Sequence, residues 1–159
     1  MPSLEPAPDG ARDWAAALVR ANMRQAYARH GLCWDASAFA ADWDAGENYL
    51  LRRGGEVVGY ARLVHDADRS YLRDLQIAAE HRGRGLGRQA LEAAGALARR
   101  RGSRVLRLRV FADSPAVRLY RRCGFVACRH EPPLIGMERR LAGPGETPLA
   151  PPRGDRRGR

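Results

Sequence analysis

A glycine-rich stretch between an apolar run and a helical pattern constrains this chain more than any other feature. Residues 71–88, YLRDLQIAAEHRGRGLGR, begin with strand-forming apolar residues and end in three alternate glycines, Gly83, Gly85 and Gly87. A helical pattern follows at once. Glycines let the backbone turn tightly, so several N–H groups can face one anion at the positive end of the next helix. The stretch therefore predicts a strand, a phosphate-binding loop and a helix.

Two well-known phosphate loops fit this stretch less well. A dinucleotide-binding turn requires G-x-G-x-x-G and an acidic residue about 20 residues later. The glycines here run G-x-G-x-G, and the next strand carries arginines instead. A P-loop requires Lys followed by Ser or Thr, whereas Arg88-Gln89 follows the last glycine here. Glycine-rich turns before helices also occur without any ligand, so the loop alone does not establish binding.

The same residues resemble the acyl-CoA-binding signature of the GNAT superfamily of N-acetyltransferases. The signature R/Q-x-x-G-x-G/A is matched by Arg82, Gly85 and Gly87. A second family block, N-x-x-A-x-x-L-Y-x-x-x-G-F, aligns without a gap to Asp113, Ala116, Leu119, Tyr120, Gly124 and Phe125. Two blocks in the right order and at the right separation are more specific than either alone. The resemblance covers roughly residues 48–141.

The resemblance implies a fold and a cosubstrate. The expected fold is a single α/β (α+β) domain over residues 1–142, with a mixed, twisted sheet of about six or seven strands and about four helices. The expected cosubstrate is acetyl-CoA, with its pyrophosphate on the loop and its pantetheine arm along residues 75–77, where two strands splay apart in the family. The cofactor-binding residues expected on this basis are Leu75, Gln76, Ile77, Arg82, Gly83, Arg84, Gly85, Leu86, Gly87, Arg88, Asp113, Ala116 and Tyr120.

Two catalytic residues are expected from the same resemblance. Tyr120 matches the family tyrosine that protonates the departing coenzyme A sulfur, and a phenol suits that role at neutral pH; the alternative is a core aromatic. Asp74 is the best-placed base, and the alternative is a salt bridge to an arginine such as Arg73 or Arg107. Further candidate bases are His65, His130 and Glu131. Asp113 stands where the family usually has Asn, so it can accept a hydrogen bond but cannot donate one.

Hydrophobic spacing predicts the order of the elements. The predicted helices cover residues 11–30, 35–43, 86–101 and 114–123, and the predicted strands cover 3–5, 48–52, 56–64, 71–77, 105–111, 125–128 and 135–141. A right-handed crossover makes strands 71–77 and 105–111 parallel. Gly59 is expected at a bulge or a close approach. The aromatic residues of the first half either line a substrate cleft or fill the core; they are Trp14, Trp34, Phe39, Trp43 and Tyr49.

Composition limits the partners. The net charge of +10 comes entirely from arginines, with no lysine, and is spread along the chain. It predicts weak attraction to polyanions but no dedicated nucleic-acid site. The three cysteines have no metal-binding spacing, so no metal is expected. The segment 143–159 is rich in Pro, Gly and Arg and is expected to be a disordered tail.

The sequence therefore predicts an N-acetyltransferase that acts on a primary amine of a small molecule or a protein. The sequence shows neither a signal peptide nor a membrane-spanning run, so a cytoplasmic location is expected. A homodimer is also possible. Two alternatives remain open. One is a non-catalytic acyl-CoA-binding sensor or partner module, and the other is a basic nucleic-acid-binding protein.

Overall fold

The computed structural model describes residues 2–143, so the tail predicted over residues 143–159 lies outside the described residues except for Gly143. Within that range the chain forms seven strands and four α-helices. In chain order these are β1 (Ser3–Pro6), α1 (Arg12–Arg29), α2 (Ala36–Ala45), β2 (Glu47–Arg53), β3 (Glu56–Asp66), β4 (Arg69–Ile77), α3 (Leu86–Arg100), β5 (Val105–Phe111), α4 (Ala116–Arg122), β6 (Val126–Glu131) and β7 (Leu134–Arg140).

The strands form one sheet with the order β1-β2-β3-β4-β5-β7-β6. Every neighbouring pair is antiparallel except β4 and β5, which are parallel and joined through α3. A parallel pair needs a crossover connection of this kind, because a short turn can only reverse the chain. The predicted mixed α/β sheet and its single parallel pair are confirmed.

Helix α3 covers one face of the sheet through small side chains. Ala90, Ala94 and Ala98 are fully buried, and Leu91 packs among them. Alanines allow the helix to lie close to the strands, so the larger strand residues fill the remaining space. Leu86 at the start of α3 is also buried, whereas Leu97 near its end is only partly buried.

Helices α1 and α2 cover the opposite face with an aromatic cluster. Phe39 and Trp43 are buried against Tyr60 of β3, and the rings of Trp43 and Tyr60 stack at 5.8 Å between centroids. These two aromatics of α2 are therefore core. On α1 the buried residues are Ala15 and Val19. Trp14, which was expected in a cleft or in the core, is 40% exposed.

Local capping sets the ends of two helices. The Asp35 carboxylate accepts from the Ala38 N–H at 3.0 Å, which confirms the predicted cap of α2. At α4 the cap differs from the prediction: Pro115 occupies the N-cap position, and Ser114 Oγ accepts from the Ala116 N–H at 3.2 Å. The helix therefore begins later than the Ser-Pro pair predicted. Gly124 follows its end with a φ of +90°.

Candidate acyl-CoA site

Strands β4 and β5 separate half-way along their length. Their parallel pairing runs only from Arg69 to Leu72 on β4 and from Val105 to Leu108 on β5. Residues 73–77 of β4 lie beyond this ladder. The two strands thus form an opening at their C-terminal ends, where one edge of β4 carries backbone groups without a partner strand. Ligands of α/β sheets bind outside the carboxyl ends of parallel strands.

A bulge at Arg73 accompanies this separation. On β3, Leu63 pairs with Leu72 and Arg62 pairs with Asp74, so Arg73 has no partner opposite it. An extra residue bends a strand and increases its twist. It also shifts the alternation of side chains, because Leu72 and Leu75 both pack on the side of α3. Asp74 consequently faces the α1 and α2 side of the sheet, near the start of the opening.

Gly59 lets β3 approach β4 closely beside this opening. A Cβ at residue 59 would lie 2.5 Å from the carbonyl oxygen of Gln76, a distance that real Cβ atoms do not reach. The expected close approach is confirmed. The neighbouring Val58 is also skipped in the pairing with β2, where Leu51 pairs with Gly59 and Arg52 with Val57. Gly59 was expected at a bulge or a close approach, and the structure has the close approach at Gly59 and a bulge at the adjacent Val58.

The glycine loop presents unpaired backbone donors at the end of β4. Gly83 and Gly85 have φ values of +78° and +76°, which residues with a side chain rarely adopt. All six N–H groups of residues 83–88 donate to no acceptor within residues 2–143. The last three belong to the first turn of α3, where the helix dipole is positive. The loop is thus suited to bind an anion such as a pyrophosphate.

Gly87 joins the loop to the following helix. A Cβ at residue 87 would lie 3.0 Å from Cδ2 of Leu119, which is tighter than most real contacts. The absence of a side chain therefore allows α4 to lie close to the start of α3. Tyr120, the residue after Leu119, is carried on α4 beside the same loop.

Tyr120 combines a packed ring with an acidic neighbour. Its ring meets Phe125 edge-on, with centroids 5.9 Å apart, and packs against the main core. Burial, followed by the Asp74 carboxylate, raises the pKa of Tyr120 to about 12. The phenol is therefore protonated at neutral pH. The Asp74 carboxylate of β4 is thus part of the electrostatic environment of Tyr120.

Asp74 is held by an arginine of the neighbouring strand. Nε of Arg62 donates to Oδ2 of Asp74 at 3.4 Å, and Arg62 is buried. Burial raises the pKa of Asp74 above its ordinary value, while the Arg62 charge lowers it in part. The arginines named as possible partners from the sequence are engaged elsewhere: Arg73 lies over the Tyr71 ring, and Arg107 pairs with Glu138 at 2.9 Å.

The other candidate bases lie in different surroundings. Nδ1 of His65 is 2.6 Å from Ser70 Oγ, at the closed end of β4, and its Nε2 is 3.3 Å from Glu47. His130 is exposed on the edge strand β6. Glu131 forms ion pairs with Arg109 and Arg129. Of these candidates, Asp74 is the one that lies on β4 beyond the β4–β5 ladder, and its charge acts on Tyr120.

Residues 15–125 match the acetyltransferase (GNAT) family. This chain belongs to the GNAT family. The family resemblance found in the sequence is confirmed, and the separated strands and the glycine loop described above are those of a GNAT fold.

Relatives and solved structures agree with this assignment. Streptothricin acetyltransferase from Streptomyces lavendulae is 38% identical over 77 residues, which cover 46% of this chain and 41% of that protein. An acetyltransferase from Thermus thermophilus has a TM-score of 0.71 at 26% identity, covering 89% of this chain and 97% of that one. The PaiA N-acetyltransferase from Thermoplasma acidophilum, in complex with coenzyme A, has a TM-score of 0.70 at 14% identity, covering 88% and 99%. This last likeness is one of fold.

Asp113, which replaces the usual asparagine of the GNAT block, is bound by α1. Its carboxylate lies 3.2 Å from Nε of Arg29 and 3.1 Å from Nε2 of His30. The hydrogen bond with His30 is the main cause that lowers the pKa of Asp113. The His30 ring also stacks on Phe111 at 4.5 Å. The end of α1 is therefore fastened to the end of β5, a link that the sequence did not indicate.

Tyr27 is a second residue of α1 that contacts the end of β5. Its ring meets Phe111 of β5 edge-on at 6.4 Å between centroids. Burial first, then Asp74 and Asp42, raises the pKa of Tyr27. Tyr27 of α1 therefore packs against Phe111 at the end of β5, and the charges of Asp74 and Asp42 act on its phenol.

Asn22 links α1 to the glycine loop. Its Nδ2 donates to the Ile77 carbonyl at 3.0 Å and to Oε1 of Gln76 at 3.1 Å. Its Oδ1 accepts from Nη2 of Arg82 at 2.5 Å. Sequence reasoning missed this residue because a polar side chain in a helix usually faces solvent. The available signal was its spacing from the buried Ala15 and Val19, which puts Asn22 on the inward face of α1.

The described residues hold neither a cluster of metal ligands nor a membrane-spanning helix. Within residues 2–143, His, Cys, Asp and Glu side chains form no group of three or more that could hold a metal ion. No helix in the same range has both the length and the apolar character needed to cross a bilayer.

Proposed function

We propose that this chain transfers the acetyl group of acetyl-CoA to a primary amine. The observation that carries the proposal is the opening between β4 and β5, which ends in the six unpaired N–H groups of residues 83–88. This arrangement supports an elongated ligand with an anionic end on the loop and an amide-containing arm along the free edge of β4. Acetyl-CoA has both parts.

The acetyl group would lie at the start of the opening, beside the bulge. Backbone groups of residues 75–77, beyond the last pair of the β4–β5 ladder, are proposed to bind the pantetheine arm and the acetyl carbonyl. An N–H at this position would stabilise the oxyanion that forms when the amine attacks. The adjacent side chains of Ala116 and Tyr120 on α4 are proposed to contact the same part of the cosubstrate.

Attack forms a bond between the amine nitrogen and the acetyl carbon, and collapse of the intermediate breaks the bond between carbon and sulfur. The proton lost by nitrogen is proposed to reach Asp74, directly or through water. The sulfur leaves with its electron pair and is proposed to receive a proton from Tyr120. Tyr120 later regains a proton from solvent, and Asp74 releases to solvent the proton that it took from the amine. The products are an amide and free coenzyme A, so atoms and charge balance.

The two proposed catalytic residues assist each other. A phenol with a pKa near 12 is a weak acid towards a thiolate, whose conjugate acid has a pKa of about 8.5. The negative charge of Asp74 is one cause of that high value. Once Asp74 has taken the amine proton, this charge is gone and the pKa of Tyr120 falls. Tyr120 therefore becomes a stronger acid at the stage when sulfur leaves.

The acceptor is proposed to enter on the side covered by α1 and α2, past Tyr27. Small amines and the amino groups of proteins are both candidates. The partial match to streptothricin acetyltransferase, which covers 41% of that protein, supports testing streptothricin itself.

Two measurements test the proposal. Acetyl-CoA at saturating concentration should raise the thermal unfolding midpoint, because a ligand that binds only the folded state stabilises it. A panel containing streptothricin, an aminoglycoside, a polyamine, an amino acid and a peptide with a free N-terminus should then show amine-dependent release of free thiol. Stabilisation without thiol release from any amine would favour the non-catalytic sensor, and no stabilisation would contradict the proposal.

A further inference from the structure

Arg82 begins the cofactor loop, and its partner carries no charge. Other arginines of the fold are paired with carboxylates, as Arg62 is with Asp74 and Arg107 with Glu138. Arg82 forms no ion pair with a residue in the range 2–143, and its guanidinium donates instead to the amide oxygen of Asn22. A guanidinium has five N–H donors, so this single bond leaves others free.

A neutral partner has a different effect from a carboxylate. An amide oxygen fixes the direction of the guanidinium but leaves its full positive charge available to an anion. A carboxylate at the same place would cancel much of that charge. Holding a long side chain in advance also removes part of the rotamer entropy that binding would otherwise cost. Asn22 therefore restricts Arg82 without neutralising it.

Asn22 is itself held on two sides. Its amide nitrogen donates to Ile77 O and Gln76 Oε1 at the end of β4, while its oxygen receives Arg82. The amide is thus fixed in one orientation, with its oxygen towards the loop. Because residue 22 belongs to an 18-residue helix, this anchor is more rigid than a loop side chain would be.

We propose that Asn22 is a positioning residue for the cosubstrate, which holds the Arg82 guanidinium beside the loop of residues 82–88 so that it can bind a phosphate of acetyl-CoA. This inference rests on the proposed function. Asn22 acts through Arg82 and does not contact the reacting atoms. It also connects the helix that covers the acceptor side to the loop that binds the donor.

A double-mutant cycle tests the link. Arg82→Gln should raise the Kd of acetyl-CoA about tenfold, the order expected for one charge-assisted contact with a phosphate. Asn22→Ala should raise it about threefold, because Arg82 is free to move. In the Arg82→Gln background, Asn22→Ala should cause no further loss. Arg84→Gln is the matched control: its effect should add to that of Asn22→Ala, since Arg84 has no contact with Asn22 in the described part of the chain.

The Asn22→Asp variant distinguishes the effect of holding Arg82 in place from the effect of the positive charge of Arg82. The aspartate keeps an oxygen acceptor for Arg82 but introduces a negative charge and removes the N–H donors to β4. It should weaken acetyl-CoA binding more than Asn22→Ala does, and the difference should shrink as salt concentration rises. Equal affinities for the two variants at low salt would contradict a role for the charge of Arg82.

A truncated donor gives a readout that a purely structural role would not produce. S-acetylpantetheine lacks the pyrophosphate and the nucleotide, so Arg82 has no phosphate to bind. Asn22→Ala and Arg82→Gln should raise the KM for acetyl-CoA about threefold and about tenfold, respectively, with little change in kcat. With S-acetylpantetheine, the kcat/KM of both variants should stay within about twofold of the wild-type value. Equal impairment with both donors, or additive losses in the cycle, would overturn the inference. A wild-type chain that neither binds nor uses acetyl-CoA would instead contradict the proposed function.

Discussion

Nε of Arg62 donates to Oδ2 of Asp74 across 3.4 Å, between paired residues of β3 and β4. The two effects on Asp74 have opposite signs: burial favours the neutral acid, and the guanidinium favours the carboxylate. Burial is the larger, so the pKa of Asp74 lies above that of an ordinary aspartate. A base of this kind becomes active as the pH rises through its raised pKa.

Asp74→Asn should remove the proton acceptor. We expect kcat/KM to fall about 100-fold, within the usual range for a general base, and the acid limb of the pH–rate profile to disappear. The measurement is thiol release over about pH 5 to 9 at subsaturating amine.

Asp42→Asn is the control for this change, because Asp42 also lies near Arg62, at 3.8 Å, but on helix α2. Its profile should keep the acid limb. An Asp74→Asn profile with its acid limb intact would remove Asp74 from the mechanism.

Arg62→Gln should move the acid limb to higher pH. Loss of the guanidinium removes the influence that lowers the pKa of Asp74, so the carboxylate forms only at a higher pH. Breaking a buried pair should also lower the free energy of unfolding, by about 3 kcal/mol, as measured by urea denaturation. Arg62→Lys retains the charge, so its acid limb should lie between those of Arg62→Gln and the wild-type protein. A limb that stays in place in Arg62→Gln would show that Arg62 does not control Asp74.

Tyr120→Phe should lower kcat at least about 100-fold while leaving the Kd of acetyl-CoA nearly unchanged. The phenylalanine ring keeps the edge contact with Phe125, so the thermal midpoint should hold. Because the pKa of Tyr120 is near 12, the wild-type profile should show no basic limb from this residue below about pH 10. Tyr71→Phe, on the closed part of β4, is the control and should retain full activity. Normal turnover in Tyr120→Phe would exclude the phenol as the acid.

Gly85→Ala should weaken acetyl-CoA binding through the backbone. The φ of +76° at Gly85 costs a residue with a Cβ roughly 1 kcal/mol, although no atom lies within 4 Å of the added methyl group. The strain should turn the loop amides away from the anion and raise the Kd.

Gly54→Ala is the matched control for this substitution, since Gly54 also has a positive φ, +58°, and open space around it, but lies in the β2–β3 turn. Both variants should lose similar stability, whereas only Gly85→Ala should lose affinity. Equal affinity in the two variants would argue against the loop as the anion site.

The elements of this fold were readable from local sequence because each depends on neighbouring residues. The alternate glycines predicted the loop, and Asp35 predicted the start of α2. The parallel pairing of β4 with β5 followed from the handedness of crossovers, which is a general rule. These features need no knowledge of distant contacts.

The contacts that shape the site were not readable, since they join distant parts of the chain. Asn22 meets Arg82 across 60 positions, and His30 meets Asp113 across 83. The spacing from Ala15 and Val19 puts Asn22 on the inward face of α1, but no local pattern identifies Arg82 as its partner or Asp113 as the partner of His30. The bulge at Arg73 did leave a trace: Leu72 and Leu75 are three positions apart, which breaks the two-residue period of a strand.

The extra residue that breaks this period also affects whether β4 and β5 can pair along their whole length. A chain lacking the single residue at position 73 would carry an uninterrupted two-residue repeat from Leu72 to Ile77. Its β4 could then pair with β5 along the full length of both strands. We expect such a deletion to give a more regular sheet with a narrower opening, so the space proposed for the substrate would depend on one supernumerary amino acid.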